Sequence, residues 1–392
     1  MIRGIVEGFY GRPYTSKERD VIISCLSMLD DPVYMYAPKN DPYHRLKWRE
    51  EYPCDSFEAL AANIRKSRHA GVKFIFGISP WQFTDDDSEF IRKKADKALS
   101  AGAFGISVLF DDVPDKADPE LALRQIELAE KALADFDCQV YMCPSVYCVE
   151  LMEILNGEEY LHFLKDNLPE RWNLFWTGDA VISRKLDSTS LVRAEELLGR
   201  QPVLWDNLLA DDYTLRRIFL AGLVDRIPER HSFLLNPSSC FPAALHAVHE
   251  ILLASGIENC WPDELGNNRA AWKLLGEFHH LPWSAGMEAE ELLEKISTAV
   301  TDGASEGLMT DLERISSTLD RFVEYIHEVQ GGFDLMPYIM DVGKLTGWWI
   351  KVLRLPTMSQ RVRELRYLML ERLPFEHPLA AYTASVVSRR EE

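Results

Sequence analysis

Between residues 2 and 236 a short β-branched or aromatic run is followed, eight times over, by a longer segment of helical period. This alternation constrains the chain more than any other feature. Each unit reads as a strand followed by a crossover helix, the pattern that builds a parallel sheet with right-handed connections. The runs end near Tyr10, Lys39, Ser79, Asp112, Tyr147, Gly178, Asn207 and Asn236. Helix punctuation lies between them. Thr15 with Glu18 and Asp55 with Glu58 have capping-box spacing, Asp118 before Pro119 reads as an N-cap with proline at the first helical position, and Gly71 and Gly199 stand where C-terminal caps belong. Repeats of roughly 30 to 40 residues predict an α/β fold, a (β/α)8 TIM barrel, closing near residue 256 within a catalytic domain of residues 1–278. A doubly wound open sheet is the alternative. It usually carries G-x-G-x-x-G after its first strand, and the segment from Gly8 to Arg12 lacks that spacing.

Beyond residue 280 the strand pattern stops. Leu308, Leu312, Ile315, Leu319, Phe322, Ile326 and Val329 alternate at steps of four and three, which places them on one helical stripe. With the segments around Trp348, Trp349 and Leu353 and from Val362 to Leu373, the stripe predicts a C-terminal α-helical bundle over residues 279–392. The stripe reads first as intramolecular core, with a homodimer surface through these helices as the alternative. Pro374, Pro378 and the polar run from Ser388 to Glu392 predict a loosely held terminus.

Composition narrows the partners. A formal net charge of -19 opposes binding through phosphates, so nucleic acid is not expected. No apolar run is long enough to span a bilayer, and the first residues lack a signal peptide's charged start and apolar stretch, so no membrane association is expected. Seven cysteines without a C-x-x-C pair suggest neither a zinc site nor a complete disulfide framework, and point to a reducing, cytoplasmic setting. His246 with His249, and the pair His279 and His280, lack a third ligand at recognisable spacing and are expected to hold no metal.

In barrels of this class the chemistry lies at the C-terminal ends of the strands. The polar and aromatic residues there are Gly8, Tyr10, Lys39, Ser79, Asp111, Asp112, Tyr147, Trp176, Thr177, Trp205, Asn207 and Asn236. Aromatic rings with a few directed polar groups suit a pyranose, whose C–H face stacks on an indole and whose hydroxyls need donors and acceptors. Asp111 and Asp112 would repel each other if both were ionised, so one is expected to keep its proton, as general acid catalysis at a glycosidic oxygen requires. Against this stands the common use of adjacent aspartates as helix caps, although Asp118 is better placed to cap the next helix. Asp211 and Asp212 precede an expected helix near Tyr213, where capping is the default role.

Several ordered motifs then resemble one family. They are Gly4 to Pro13, Tyr36-Ala-Pro-Lys39 with Asp41 to Arg45 and Trp48 to Glu50, Leu109-Phe-Asp-Asp112, Cys143-Pro-Ser-Val-Tyr147, Trp176-Thr-Gly178, Val203 to Asn207 with Asp212-Tyr213, and Leu235-Asn-Pro237. In these the chain resembles glycoside hydrolase family 84, the O-GlcNAcases and related β-N-acetylglucosaminidases. The resemblance implies a retaining exo-β-N-acetylglucosaminidase in which the substrate's own 2-acetamido oxygen is the nucleophile and an oxazoline is the intermediate. The substrate would be a β-GlcNAc-bearing glycoprotein, glycopeptide or small glycoside, with no cofactor and no metal. It implies that Asp111 orients the acetamido group and Asp112 is the general acid and then the general base. Tyr147 and Asn207 would line the acetamido pocket, Trp205 would form a wall, Gly8 and Lys39 would meet the 3-hydroxyl side, and Asp212 with Asn236 would hold the 4- and 6-hydroxyls. Two positions depart from the pattern. Ser79-Pro80-Trp81 places an indole where the family often has glycine, and Asn40 stands where an acidic residue is common.

Overall fold

Strands enclosed on both faces need apolar side chains at consecutive positions, and the observed strands have them. Val33, Tyr34, Met35 and Tyr36 are buried in succession, as are Val108, Leu109 and Phe110. The computed structural model describes residues 1–111, 116–214 and 217–371. Eight parallel strands form a closed barrel in chain order: β1 (Arg3–Glu7), β2 (Pro32–Tyr36), β3 (Lys73–Ile78), β4 (Gly105–Leu109), β5 (Gln139–Cys143), β6 (Asn173–Trp176), β7 (Val203–Asp206) and β8 (Phe233–Leu235). Pairing of Arg3 with Phe233, Gly4 with Leu234 and Ile5 with Leu235 closes the ring. Each strand ends one to four residues before the predicted point, so most candidate residues ride on the first turns of the following loops.

Alternation decides what fills the barrel. Val33, Met35 and Ala37 pack with Val6, Ile75, Leu109, Phe175 and Trp205 in one core cluster. Tyr34 and Tyr36 point the other way, stacking on Phe74 at 5.5 Å and Phe76 at 6.1 Å. Burying each large side chain contributes roughly 1.5–3 kcal/mol. One charge is buried with them. Glu7, fully enclosed, accepts from Arg19 Nε at 2.8 Å and Nη2 at 3.0 Å, from Tyr34 Oη at 2.5 Å and from the Tyr14 amide at 2.8 Å. The carboxylate therefore ties β1 to β2 and to the helix Ser16–Leu26.

The helix signals hold in part. Thr15 and Glu18 form the capping box, the Asp118 side chain accepts from the Leu121 amide at 2.9 Å, and Gly199 closes its helix with φ 64°. Asp55 does not cap: the helix Cys54–His69 starts two residues earlier than that cap would place it, with Pro53 at the N-cap, which puts Asp55 in the first turn, where it still favours the helix dipole. The helix expected near Tyr213 is absent among the described residues there. A turn takes its place, in which the Thr214 amide donates to the Asp211 carbonyl at 3.1 Å.

The chain divides into two compact units. The first comprises Met1–Ala210, Leu223–Ser239 and Ala247–Cys260, and the second comprises Asp211–Gly222, Cys240–His246 and everything from Trp261 onward. A linear boundary at residue 279 does not express this interleaving. Within the second unit Arg217 donates to the carbonyls of Pro282 and Leu281, both at 2.9 Å, and the Leu220 amide donates to the His279 carbonyl at 2.8 Å. His246 stacks on Trp272 at 5.5 Å, and Trp272 meets Phe322 edge-on at 5.7 Å. All seven residues of the predicted stripe are buried, although the helix Glu306–Glu324 ends before Ile326, which sits in a 3-10 turn. The stripe is used as core of its own chain. Pro374, Pro378 and the segment from Ser388 to Glu392 lie outside the described residues. Among the described residues no helix is long and apolar enough to cross a membrane.

Candidate active site

Two loops bring a lysine and an aspartate together. Lys39 follows β2 and Asp111 follows β4, and Lys39 Nζ donates to Asp111 Oδ2. Both side chains are buried. The other carboxylate oxygen, Oδ1, is also buried and has no hydrogen-bond donor among the described residues. A carboxylate oxygen in that condition carries an unmet demand, on the order of 1–3 kcal/mol, for an N–H or O–H from outside. Asp112 lies outside the described residues. Because Asp118 caps the helix Pro119–Leu133, the pair is not needed for that task.

Lys39 has a stiff surround. Asp41 accepts from Tyr36 Oη at 2.5 Å, Tyr52 Oη at 2.7 Å and the Tyr43 amide at 2.9 Å, which fixes the Tyr36-to-Asp41 loop. His44 is buried with Nδ1 at 3.0 Å from the Gly77 carbonyl. Burial first, and the Lys39 charge second, push its pKa down to about 3, so the ring is neutral and leaves the Lys39 charge to face Asp111.

On the other side of the barrel mouth, four predicted residues form one hydrogen-bonded frame across β1, β7 and β8. The Gly8 amide donates to Asn236 Oδ1 at 3.1 Å, Asn236 Nδ2 donates to Asn207 Oδ1 at 3.0 Å, and Trp205 Nε1 donates to the same Asn207 oxygen at 2.9 Å. Asn207 Nδ2 donates to the Val181 carbonyl at 2.9 Å. These bonds fix both amide orientations and hold the Trp205 indole upright. Gly8 is required by proximity: a Cβ there would lie 2.4 Å from Trp205 Cζ2. Tyr147, half-buried after β5, packs against the barrel core, and its carbonyl accepts from the Thr177 amide at 2.9 Å. Asp212 lies in the second unit, on the exposed turn before Thr214.

At the rim, the Arg45 guanidinium stacks over the Trp81 ring at 4.6 Å and donates from Nη1 to Tyr10 Oη at 2.5 Å. Trp48 Nε1 donates to the Trp81 carbonyl at 2.9 Å. The unusual indole at position 81 is thereby held by two neighbours. Its loop also touches the aspartate segment, since Phe83 meets Phe110 edge-on at 5.4 Å.

Sequence reasoning missed the supports. Glu7 ends β1 as a carboxylate after the apolar pair Ile5 and Val6. Asp206 binds Arg226 through Nε and Nη2, both at 2.7 Å, and stabilises the end of β7 under Asn207. A charged residue inside an otherwise apolar strand was the available signal in both cases.

The barrel segment, residues 3–257, matches the family described as beta-N-acetylglucosaminidase. Protein O-GlcNAcase of Rattus norvegicus and that of Mus musculus are each 30% identical to the chain over 267 residues, which is 63% of this chain. The chain spans 29% of the length of these relatives. An O-GlcNAc hydrolase mutant of Thermobaculum terrenum shares the fold with TM-score 0.82 at 21% identity, over 99% of this chain and 95% of that one.

Proposed function

The chain belongs to the beta-N-acetylglucosaminidase family, glycoside hydrolase family 84, and from that membership we propose a retaining exo-β-N-acetylglucosaminidase that works by participation of the substrate's acetamido group. The observation that carries this reading is the buried Oδ1 of Asp111, without a donor among the described residues, beside an Oδ2 already held by Lys39. An acetamido N–H is a donor of the right kind for that oxygen. Accepting it raises electron density on the amide oxygen, which attacks the anomeric carbon and forms an oxazolinium whose charge the carboxylate offsets. Asp112 protonates the departing oxygen in this step. In the second step it takes a proton from water, whose oxygen opens the oxazoline at the anomeric carbon with overall retention. No cofactor or metal enters the balance.

The asparagine frame supports the sugar end of this reading. Trp205 supplies an apolar wall, Tyr147 and Asn207 define the acetamido side, Gly8 and Lys39 meet the 3-hydroxyl side, and Asn236 takes the 4- and 6-hydroxyl side, closing the non-reducing end. The proposed substrates are O-GlcNAc on serine or threonine of proteins, or related β-GlcNAc glycosides. No disulfide joins the described cysteines, in keeping with the cytoplasmic setting we propose. The test is turnover of an aryl β-N-acetylglucosaminide, with the anomer of the first product followed by NMR and an oxazoline-mimicking thiazoline as inhibitor. Release of the β-anomer, blocked by the thiazoline, is expected. Binding of GlcNAc without aglycone release, or an α-anomeric product, would overturn the proposal.

A further inference from the structure

The motif Cys143-Pro-Ser-Val-Tyr147 contains a serine with no part in the chemistry above. Ser145 is buried, and its side chain and backbone enter a closed ring of hydrogen bonds beneath Asp111. Ser145 Oγ donates to the Phe110 carbonyl at 3.0 Å and accepts from Gln125 Nε2 at 2.8 Å. Tyr160 Oη donates to Gln125 Oε1 at 2.5 Å and accepts from the Ser145 amide at 2.9 Å. Gln125 and Tyr160 are fully enclosed and come from two different helices, Pro119–Leu133 and Glu158–Asn167. The Phe110 amide donates to the Cys143 carbonyl at 2.8 Å, so residue 110 is pinned to the β5 segment on both its N–H and its C=O sides.

The carbonyl held by Ser145 belongs to the peptide that leads into Asp111. Regular strand pairing ends at Leu109, and beyond it this ring holds the Phe110 carbonyl while Lys39 contacts the Asp111 side chain. Burying two amides and two hydroxyls is unfavourable unless all are paired, and a wholly apolar packing would hold the helices equally well. The ring instead fixes one peptide plane. We propose that Ser145, held by Gln125 and Tyr160, is a positioning residue that sets the direction in which Asp111 leaves β4. The inference rests on the catalytic reading of Asp111.

The proposal concerns geometry in the reacting complex, so it predicts a loss in kcat with little change in KM, because the sugar is held chiefly by the frame around Trp205. The experiment measures kcat and KM on an aryl β-N-acetylglucosaminide for Ser145→Ala, Ser145→Thr, Tyr160→Phe and Asp111→Asn, and for Ser145→Ala combined with Asp111→Asn, with thermal melting of each. Ser145→Ala is expected to lower kcat by about tenfold or more with KM within about threefold. Ser145→Thr, which keeps the hydroxyl, is expected to regain most of the loss. In the Asp111→Asn background, Ser145→Ala is expected to cost less than about twofold, since the group it positions is already gone. Wild-type kcat in Ser145→Ala, the same fold loss with and without Asp111, or no rescue by threonine in a normally melting protein would each overturn the proposal. Should Ser145→Ala fail to melt cooperatively, Tyr160→Phe is read by the same criteria. Full activity in Asp111→Asn would remove the catalytic reading itself, whatever Ser145 does.

Discussion

Lys39 and Asp111 form a buried ion pair across the mouth of the barrel, joining the loops after β2 and β4 over the intervening β3, and among the described residues only one of the two carboxylate oxygens finds a donor. Breaking such a pair from one side leaves the other charge buried and unmatched, which destabilises by about 3–5 kcal/mol. Lys39→Met and Asp111→Asn are each expected to lower the unfolding free energy. The double variant is expected to lose less than the two singles combined, because it leaves no unpaired charge. Urea denaturation of the four proteins measures the coupling. Strict additivity would show that the contact contributes nothing of its own.

The proposed division of labour between the aspartates predicts two different leaving-group profiles. Asp112→Asn removes the proton donor, so activity on alkyl or peptide glycosides is expected to fall by about 100-fold or more, while aryl glycosides with acidic leaving groups fall much less. Asp111→Asn weakens the attack of the acetamido oxygen, and both substrate classes are expected to lose activity together. Plots of log kcat/KM against leaving-group pKa separate the cases. A steeper slope in Asp111→Asn than in Asp112→Asn would reverse the assignment.

Gly8 touches the Trp205 ring so closely that an added methyl requires the indole to move. Gly8→Ala is therefore expected to lose about 1–3 kcal/mol of stability through overpacking. Because Trp205 shares the Asn207 oxygen with Asn236, its displacement is expected to disturb the whole frame and to raise KM more than it lowers kcat. Steady-state kinetics on an aryl β-N-acetylglucosaminide decide this. A variant with unchanged KM would show that the frame does not contact the sugar.

Periodicity made the barrel legible, because eight buried parallel strands demand eight apolar runs and each helix needs its start and stop residues. The same logic located Lys39, Asp111 and the residues around Trp205, since strand ends converge in any closed barrel. What stayed hidden depends on distant pairing. Glu7 is explained by Arg19 and Tyr34, Asp206 by Arg226, and Ser145 by Gln125 and Tyr160, and in each case the partner comes from another element. The turn found at Tyr213 has a similar cause: the segment Asp211–Gly222 belongs with the helical unit, through Arg217 and Leu220.

Glu250, on the helix Phe241–Ala254, gives a pH-dependent test of stability. Burial pushes its carboxyl up to about 7, with the Leu223 backbone amide opposing the shift. Between pH 4.5, the ordinary value, and about 7 the folded protein keeps a proton that the unfolded chain has released. More protons bound in the native state mean that the unfolding free energy falls as pH rises through that window and levels off above it. Glu250→Gln keeps a hydrogen-bond acceptor for the amide and removes the titration. The variant is expected to match wild type near pH 4.5 and to exceed it by about 1–2 kcal/mol at pH 8, allowing for partial exposure of the group. Paired denaturation curves at the two pH values test the sign. An equal difference at both would show that shape, and not the proton, accounts for the change.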